Sequence, residues 1–326
     1  MLVSELGEKR LVEMFVRNLY GSDLVTVPAG VDDTASVAHC GEELVLKTDV
    51  MFSSTHFPAG MGFKAMGRKV AVANLSDIAA MGARPLALLM AFGVPPGMDS
   101  EDLEKVFDGI NGACEEHRCP FVGGDTKKAK ELTLAGMAVG ACKREELLLR
   151  ANAKPGDVVA VTGSVGAAAC GMLILTKGLK LSPKLSGPLV EAFTNPVARI
   201  PEGRAIASAA PGSAGMDITD GLFYTAGEIA RASGVGMRIY EGKLPFSNEA
   251  RKFAHEQQHA SPVRLLEYGE DYELVVCIRK KLFGKAKNAV EDAGGTLTEI
   301  GEVIGDKKIY LGSEPVDTHG YDAILR

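Results

Sequence analysis

The chain has 326 residues, 46% hydrophobic and 24% charged, which is globular composition and long enough for two domains with their own cores. Its 36 Lys and Arg are scattered among 42 Asp and Glu for a formal charge of −6, which argues against nucleic acid and for a small ligand. No run approaches the roughly 18 apolar residues that cross a bilayer, and the opening segment MLVSELGEKR lacks the apolar core of a secretory signal, so no membrane role and a cytoplasmic setting are expected.

Six cysteines, Cys40, Cys114, Cys119, Cys142, Cys170 and Cys277, are too sparse for a disulfide framework and are read as reduced. Cys114, His117 and Cys119 lack a paired CxxC elsewhere, so they are read as buried thiols beside an exposed His rather than a zinc site.

In chain order, Thr34 to Val37, the turn His39-Cys40-Gly41-Glu42 and Glu43 to Thr48 read as a β-hairpin. Its open ends are neighbours, so Asp32 and Asp33 entering and Asp49 leaving should converge at one sheet edge, where they repel unless a cation joins them. Lys64 to Met81 reads as a helix. Asp77 interrupts its small, apolar run with Asn74 on the same face; either that face meets solvent or the charge is buried with a partner. Strand-like Leu86 to Phe92 and Leu132 to Cys142, with helical Glu101 to His117, complete a mixed αβ first domain. Phe121-Val122-Gly123-Gly124-Asp125-Thr126 is either an ordinary Gly-Gly-Asp turn or a backbone that approaches phosphate without a Cβ in the way.

The polar run Lys143 to Asp157 sets a domain break, giving domains 1–150 and 151–326. Strand Val158 to Thr162 then leads through Gly163-Ser164-Val165-Gly166 into helical Ala167 to Leu175; lacking GK[ST], that loop reads as a strand-to-helix turn. Met216-Asp217-Ile218-Thr219-Asp220-Gly221-Leu222 opens helix Gly221 to Ala232 and offers Thr219 or Asp220 as N-cap. A second aspartate at the positive end of a helix suits magnesium bound to phosphate. His255-Glu256-Gln257-Gln258-His259 matches the zinc-protease pattern, but its polar flank and Pro262 just downstream argue against that chemistry. Strand Tyr272 to Ile278 and helix Phe283 to Ala293 close an α+β chain of two mixed αβ domains.

Six segments carry a family resemblance: Asp32-Asp33-Thr34-Ala35; Lys47-Thr48-Asp49 through His56-Phe57; Ala73-Asn74-Leu75-Ser76-Asp77-Ile78 through Pro85; Gly123-Gly124-Asp125-Thr126; Met216 through Leu222; and Gly269-Glu270-Asp271-Tyr272-Glu273-Leu274. In this order and spacing they resemble the thiamine-monophosphate kinase family, of the superfamily that also contains aminoimidazole-ribonucleotide synthetase, selenophosphate synthetase and a hydrogenase-maturation protein. The resemblance implies transfer of phosphate from ATP to thiamine monophosphate, several Mg2+ ions, and a homodimer whose N-terminal sheets pack together with nucleotide near the interface. By position it implies Asp32, Thr48, Asp49, Asp77, Asp125, Asp217 and Asp220 as metal ligands, with Asp217 and Asp220 at the catalytic centre. Gly124, Asp125, Arg150 and Thr219 match nucleotide contacts, and His56, Glu270 and Tyr321 match substrate contacts.

Val31 stands where the family usually has Gly, Lys47 where Thr is common and Thr219 where Ser is common. A Lys47 ammonium two residues before Asp49 is expected to replace part of a metal's charge. The alternatives are another ATP-using synthetase of the superfamily, and a non-catalytic nucleotide or thiamine-phosphate sensor. No cysteine precedes Cys40, as selenophosphate synthesis would want, and Ile324-Leu325-Arg326 carries no terminal cysteine of the hydrogenase-maturation kind.

Overall fold

The computed structural model describes residues 24–28, 31–257 and 261–318. Cys40 and Gly41, at φ of 50° and 83°, form the two-residue turn between β2 (Ala35–His39) and β3 (Glu42–Phe52), the positive-φ pair that a tight hairpin requires. Ala35 pairs with Leu46 and His39 with Glu42, as the hairpin reading expects, and β3 runs on to Phe52. A single helical turn, α1 (Ser53–His56), follows.

β3 pairs antiparallel with β6 (Thr133–Cys142), and β6 with β4 (Arg84–Val94). β4 runs parallel to the edge strand β5 (Phe121–Lys128), and β1 (Val25–Val27) closes the other side in the order β1-β2-β3-β6-β4-β5. Gly123, Gly124 and Asp125 lie inside β5, so the turn reading of that segment is corrected: Gly124 pairs with Met90 and Asp125 with Ala91, after a register shift at Gly123, whose φ is 123°.

α2 (Phe63–Ala80) lies on the inner face of this sheet, with α3 (Ser100–Glu116) packed against it. Every residue of α2 from Lys69 to Ala80 is buried. A helix with apolar residues all round is a core helix, and the reason appears on its other side, where α6 (Ile200–Ala209) and β8 (Ala214–Asp217) of the second half pack against it. The solvated-stripe reading of Asn74 and Asp77 is therefore overturned. Asn74 instead ties helix to sheet: its Oδ1 accepts from Asp49 N at 3.1 Å and its Nδ2 donates to Val70 O at 2.9 Å. Gly136 of β6 admits this amide, because a Cβ there would overlap it.

The second sheet has the order β13-β12-β9-β11-β7-β10-β8. Its strands are β7 (Val158–Thr162), β8, β9 (Gly236–Ile239), β10 (Leu274–Ile278), β11 (Leu297–Ile304), β12 (Ile309–Leu311) and β13 (Glu314–Pro315). Only the β12–β9 pair is parallel. β7 and β10 are buried at every position, as strands covered on both faces are. Helices α4 (Ala167–Lys177), α5 (Pro183–Thr194), α7 (Leu222–Ser233), α8 (Asn248–Glu256) and α9 (Lys280–Asp292) complete the second half. The chain is thus an α+β protein with two mixed sheets.

Several local expectations change. Gly221, at φ 110°, takes the N-cap position of α7, so neither Thr219 nor Asp220 occupies it. The Gly163–Gly166 loop is a strand-to-helix turn whose helix end is already filled: Asp271 accepts from Gly166 N at 3.0 and 3.1 Å, taking the position a phosphate would need. His117 is buried rather than exposed, because its Nε2 accepts from Ala198 N at 2.9 Å. All six cysteines are free thiols, five of them buried. α8 ends at Glu256, and His259 lies outside the described residues. Among those residues no helix is long and apolar enough to cross a membrane.

Candidate active site

Three separate elements deliver three carboxylates to one place. Asp33 enters from the loop before β2, Asp77 from the last turn of α2 and Asp217 from the end of β8; one oxygen of each lies within 4.8 Å of the others, and all three residues are buried. Anions this close repel strongly in a low-dielectric interior. Compensation from the protein is partial. Lys47 Nζ lies 3.2 Å from Asp49 Oδ1 and 3.2 Å from Asp77 Oδ2, and Arg150 pairs with Asp33 and lies 3.7 Å from Asp32. Ser76 Oγ donates to Asp217 Oδ2 at 2.5 Å.

Burial, and then the neighbouring Asp33, raise Asp217 to about 7 and Asp32 to about 7. Burial pushes Asp77 well above the usual carboxylate range despite Lys47. Burial alone would lower the Lys47 ammonium, but the fields of Asp77, Asp49, Asp217 and Asp33 outweigh it and hold the charge on. Asp33 Oδ2 and Thr34 Oγ1 are buried with no hydrogen-bond partner. A buried anionic oxygen without a donor is costly, and a hard divalent cation with oxygen ligands would relieve it. The donor set fits magnesium.

Asp32, expected as a ligand, lies beside the three-carboxylate group rather than in it: its Oδ1 accepts from Asp33 N at 3.0 Å and its Oδ2 from Arg150 N at 2.8 Å, and it is Asp33 that joins Asp77 and Asp217. Asp49 sits at the rim, its side chain 37% exposed. Thr48 is not brought in. Alternation along β3 turns it away from Lys47 and Asp49, and its hydroxyl donates to Gly136 O at 2.7 Å. Asp125 is not brought in either: it pairs through Ala91 and Ala135 towards Val50, three strands away, or about 14 Å at strand spacing. Its side chain is exposed and bonded to Lys127 Nζ at 2.9 Å, with Gly124 beside it on the same edge. Thr219 and Asp220 are half-buried in the loop leaving β8, outside the three-carboxylate group. Arg150 sits against Asp32 and Asp33 rather than apart from the metal set.

A second group lies towards the N-terminal end of α2, around Lys69. His56 Nδ1 accepts from Phe52 N at 3.2 Å and contacts Thr55 Oγ1 at 2.7 Å, and burial lowers its imidazole below the usual range against the pull of Glu270. Glu270 Oε2 is 2.8 Å from Lys69 Nζ and accepts from Tyr272 Oη at 3.1 Å. Tyr321 lies outside the described residues. The sequence reading gave no ligand role to Asp33, which the structure places in the three-carboxylate group, and gave no role to Ser76 or Lys69. Lys69 lacked the signal that singled out Asp77, because it directly follows Arg68 and precedes the small, apolar run Val70 to Met81.

Residues 31–142 match the N-terminal domain of AIR synthase related proteins and residues 154–313 match their C-terminal domain. The chain is 34% identical to the thiamine-monophosphate kinase of Pyrococcus horikoshii over 96% of this chain and 93% of that one. It is 31% identical to that of Escherichia coli K12 over 97% and 98%. The solved structure of AaThiL complexed with AMPPCP and TMP superposes with a TM-score of 0.87 at 29% identity, covering 99% of both chains. On the two domain matches and the near full-length identity, the chain belongs to the thiamine-monophosphate kinase family of the AIR synthase related proteins.

Proposed function

We propose that the chain transfers the terminal phosphoryl group of ATP to the phosphate of thiamine monophosphate, giving ADP and thiamine diphosphate, as its named relatives suggest. The observation that carries the chemistry is the convergence of Asp33, Asp77 and Asp217 from both halves of the chain on one buried, under-compensated point. Magnesium bound there supplies charge neutralisation to the phosphates. We assign Asp33, Asp77 and Asp217 to hold it, with Asp49 and Asp220 at the rim. Phosphoryl transfer asks a protein chiefly for positioning and charge. The acceptor phosphate is already largely ionised at neutral pH, so no general base is required and transfer is direct and in line, without a phosphoenzyme.

In this reading Arg150 and Thr219 contact nucleotide phosphates at the cluster, Gly124 and Asp125 approach the nucleotide from the β5 edge, and His56 and Glu270 hold the acceptor. The domain break falls between residues 150 and 151, and the enzyme works in the cytoplasm. Given γ-labelled ATP, magnesium and thiamine monophosphate, the purified protein should move label into thiamine diphosphate and leave none on itself. Label released only as inorganic phosphate contradicts the kinase reading; label trapped on the protein contradicts the direct route.

The functional unit is a homodimer formed through the outer face of the first sheet. Leu46, Val50 and Phe52 of β3, Met137 of β6 and Val122 of β5 are exposed there, an apolar patch of the kind that marks an interface. Sedimentation should give a dimer for the wild type and a monomer for Met137→Asp. A Met137→Asp protein that stays dimeric would remove this face from the interface.

A further inference from the structure

Lys69 precedes Asp77 by eight residues on α2, about 12 Å along the helix axis, and is 1% exposed. Its ammonium lies 2.8 Å from Glu270 Oε2 at an angle that makes an ion pair without a hydrogen bond, and 3.7 Å from the centroid of the Phe193 ring. Burying a lysine costs hydration and lysine rotamer freedom, and its partner here is not a core group but a carboxylate that is 28% exposed. Tyr272, 2% exposed, donates its hydroxyl to the same Oε2 at 3.1 Å. An ion pair and a hydrogen bond, each from a buried group, thus converge on one oxygen. Among the described residues Glu270 Oε1 has no partner.

The backbone reinforces this arrangement. Glu270 and Tyr272 stand at φ of 66° and 52°, a region that is costly for residues other than glycine and clusters at functional sites. Glu270 N donates to Thr219 O at 2.9 Å and Tyr272 N to Ile218 O at 3.0 Å. The segment that follows Asp217 therefore also fixes Glu270. On the neighbouring side, His56 Nδ1 is taken by Phe52 N and Thr55, which leaves the proton of a neutral ring on Nε2.

We infer that Lys69 is a positioning residue for the acceptor: with Tyr272 it clamps Oε2 of Glu270, so that Oε1 is presented to the hydrogen-bond donors or positive ring of a heteroaromatic phosphate ester. Lys69 acts through Glu270 and does not touch the transferred group. This rests on the kinase reading above, with the acceptor's phosphate at the carboxylate cluster and its ring system at the Lys69 end of α2.

The test is steady-state kinetics with ATP, magnesium and thiamine monophosphate. Lys69→Met should raise the acceptor KM by about tenfold or more and leave the ATP KM within about twofold; Tyr272→Phe should raise the acceptor KM by about threefold. In a Glu270→Gln background Lys69→Met should add less than about twofold, because the carboxylate it orients is gone. An unmoved acceptor KM, an equal rise in both KM values, or the same rise in both backgrounds overturns the inference. Should Lys69→Met fail to fold, Tyr272→Phe decides, and an unmoved acceptor KM in that variant overturns the clamp. No turnover by the wild type removes the kinase reading and this inference with it, whereas wild-type turnover with an unmoved KM removes the inference alone.

Discussion

Asp217→Asn should lose about a thousandfold or more in turnover of thiamine monophosphate while melting no lower than the wild type in metal-free buffer at pH 8. Asn has nearly the same shape and its carbonyl oxygen can still accept from Ser76 Oγ, which donates to Asp217 at 2.5 Å. What the substitution removes is one of three converging charges. Burial, and then Asp33, raise Asp217 to about 7. A carboxyl whose folded value lies above its unfolded one costs nothing at low pH, where both states are protonated. The cost grows as pH climbs from about 4 and is complete above about 7, on the order of 1–4 kcal/mol. The variant should therefore melt higher than the wild type at pH 8, and the gain should vanish near pH 4. Calorimetry across that range checks the sign, and near-normal turnover would take Asp217 out of the reaction.

Lys47→Thr should bind divalent cations more tightly than the wild type. Lys47 Nζ sits 3.2 Å from both Asp49 and Asp77, where it already supplies one positive charge to the group that would hold the metal. A unit charge about 5 Å away at an effective dielectric near 20 is worth about 3 kcal/mol. Its removal should therefore raise metal affinity by at least about tenfold, or add a bound ion. Metal analysis of dialysed protein and a calorimetric titration measure the two directly. Equal counts with equal affinity would show that the ammonium plays no part in the cation balance.

Much of the architecture was legible because local signals agree with the tertiary structure. The Cys40-Gly41 hairpin, the helix around Asp77 and the strand Val158–Thr162 each carry their own turn or period. The site was legible in kind but not in detail. The sequence placed Asp32 and Asp33 together and the resemblance named Asp32 alone as a ligand; what distinguishes the two is the backbone N–H of Arg150, 118 positions away, which donates to Asp32. The resemblance also joined Thr48 and Asp125 to the metal set, and a match of motifs along a chain does not reveal that strand alternation turns Thr48 away and that two intervening strands separate Asp125 from β3. Burial of Asp77 could not be decided from its helix alone. That required β8 and α6 to cover the side of α2 that the first sheet leaves open. Glu270 likewise stood out only by resemblance, since its clamp comes from Lys69, which is 201 positions earlier and 1% exposed.

The most direct measurement is a manganese titration, with manganese standing in for magnesium, of wild-type protein and Asp217→Asn in the presence of a non-hydrolysable ATP analogue. If Asp33, Asp77 and Asp217 hold the cation that receives the phosphates, the variant will lose a bound ion or weaken its binding by at least about tenfold. The same number of ions bound with the same affinity in both proteins would contradict the assignment of the cluster as the phosphoryl-transfer centre.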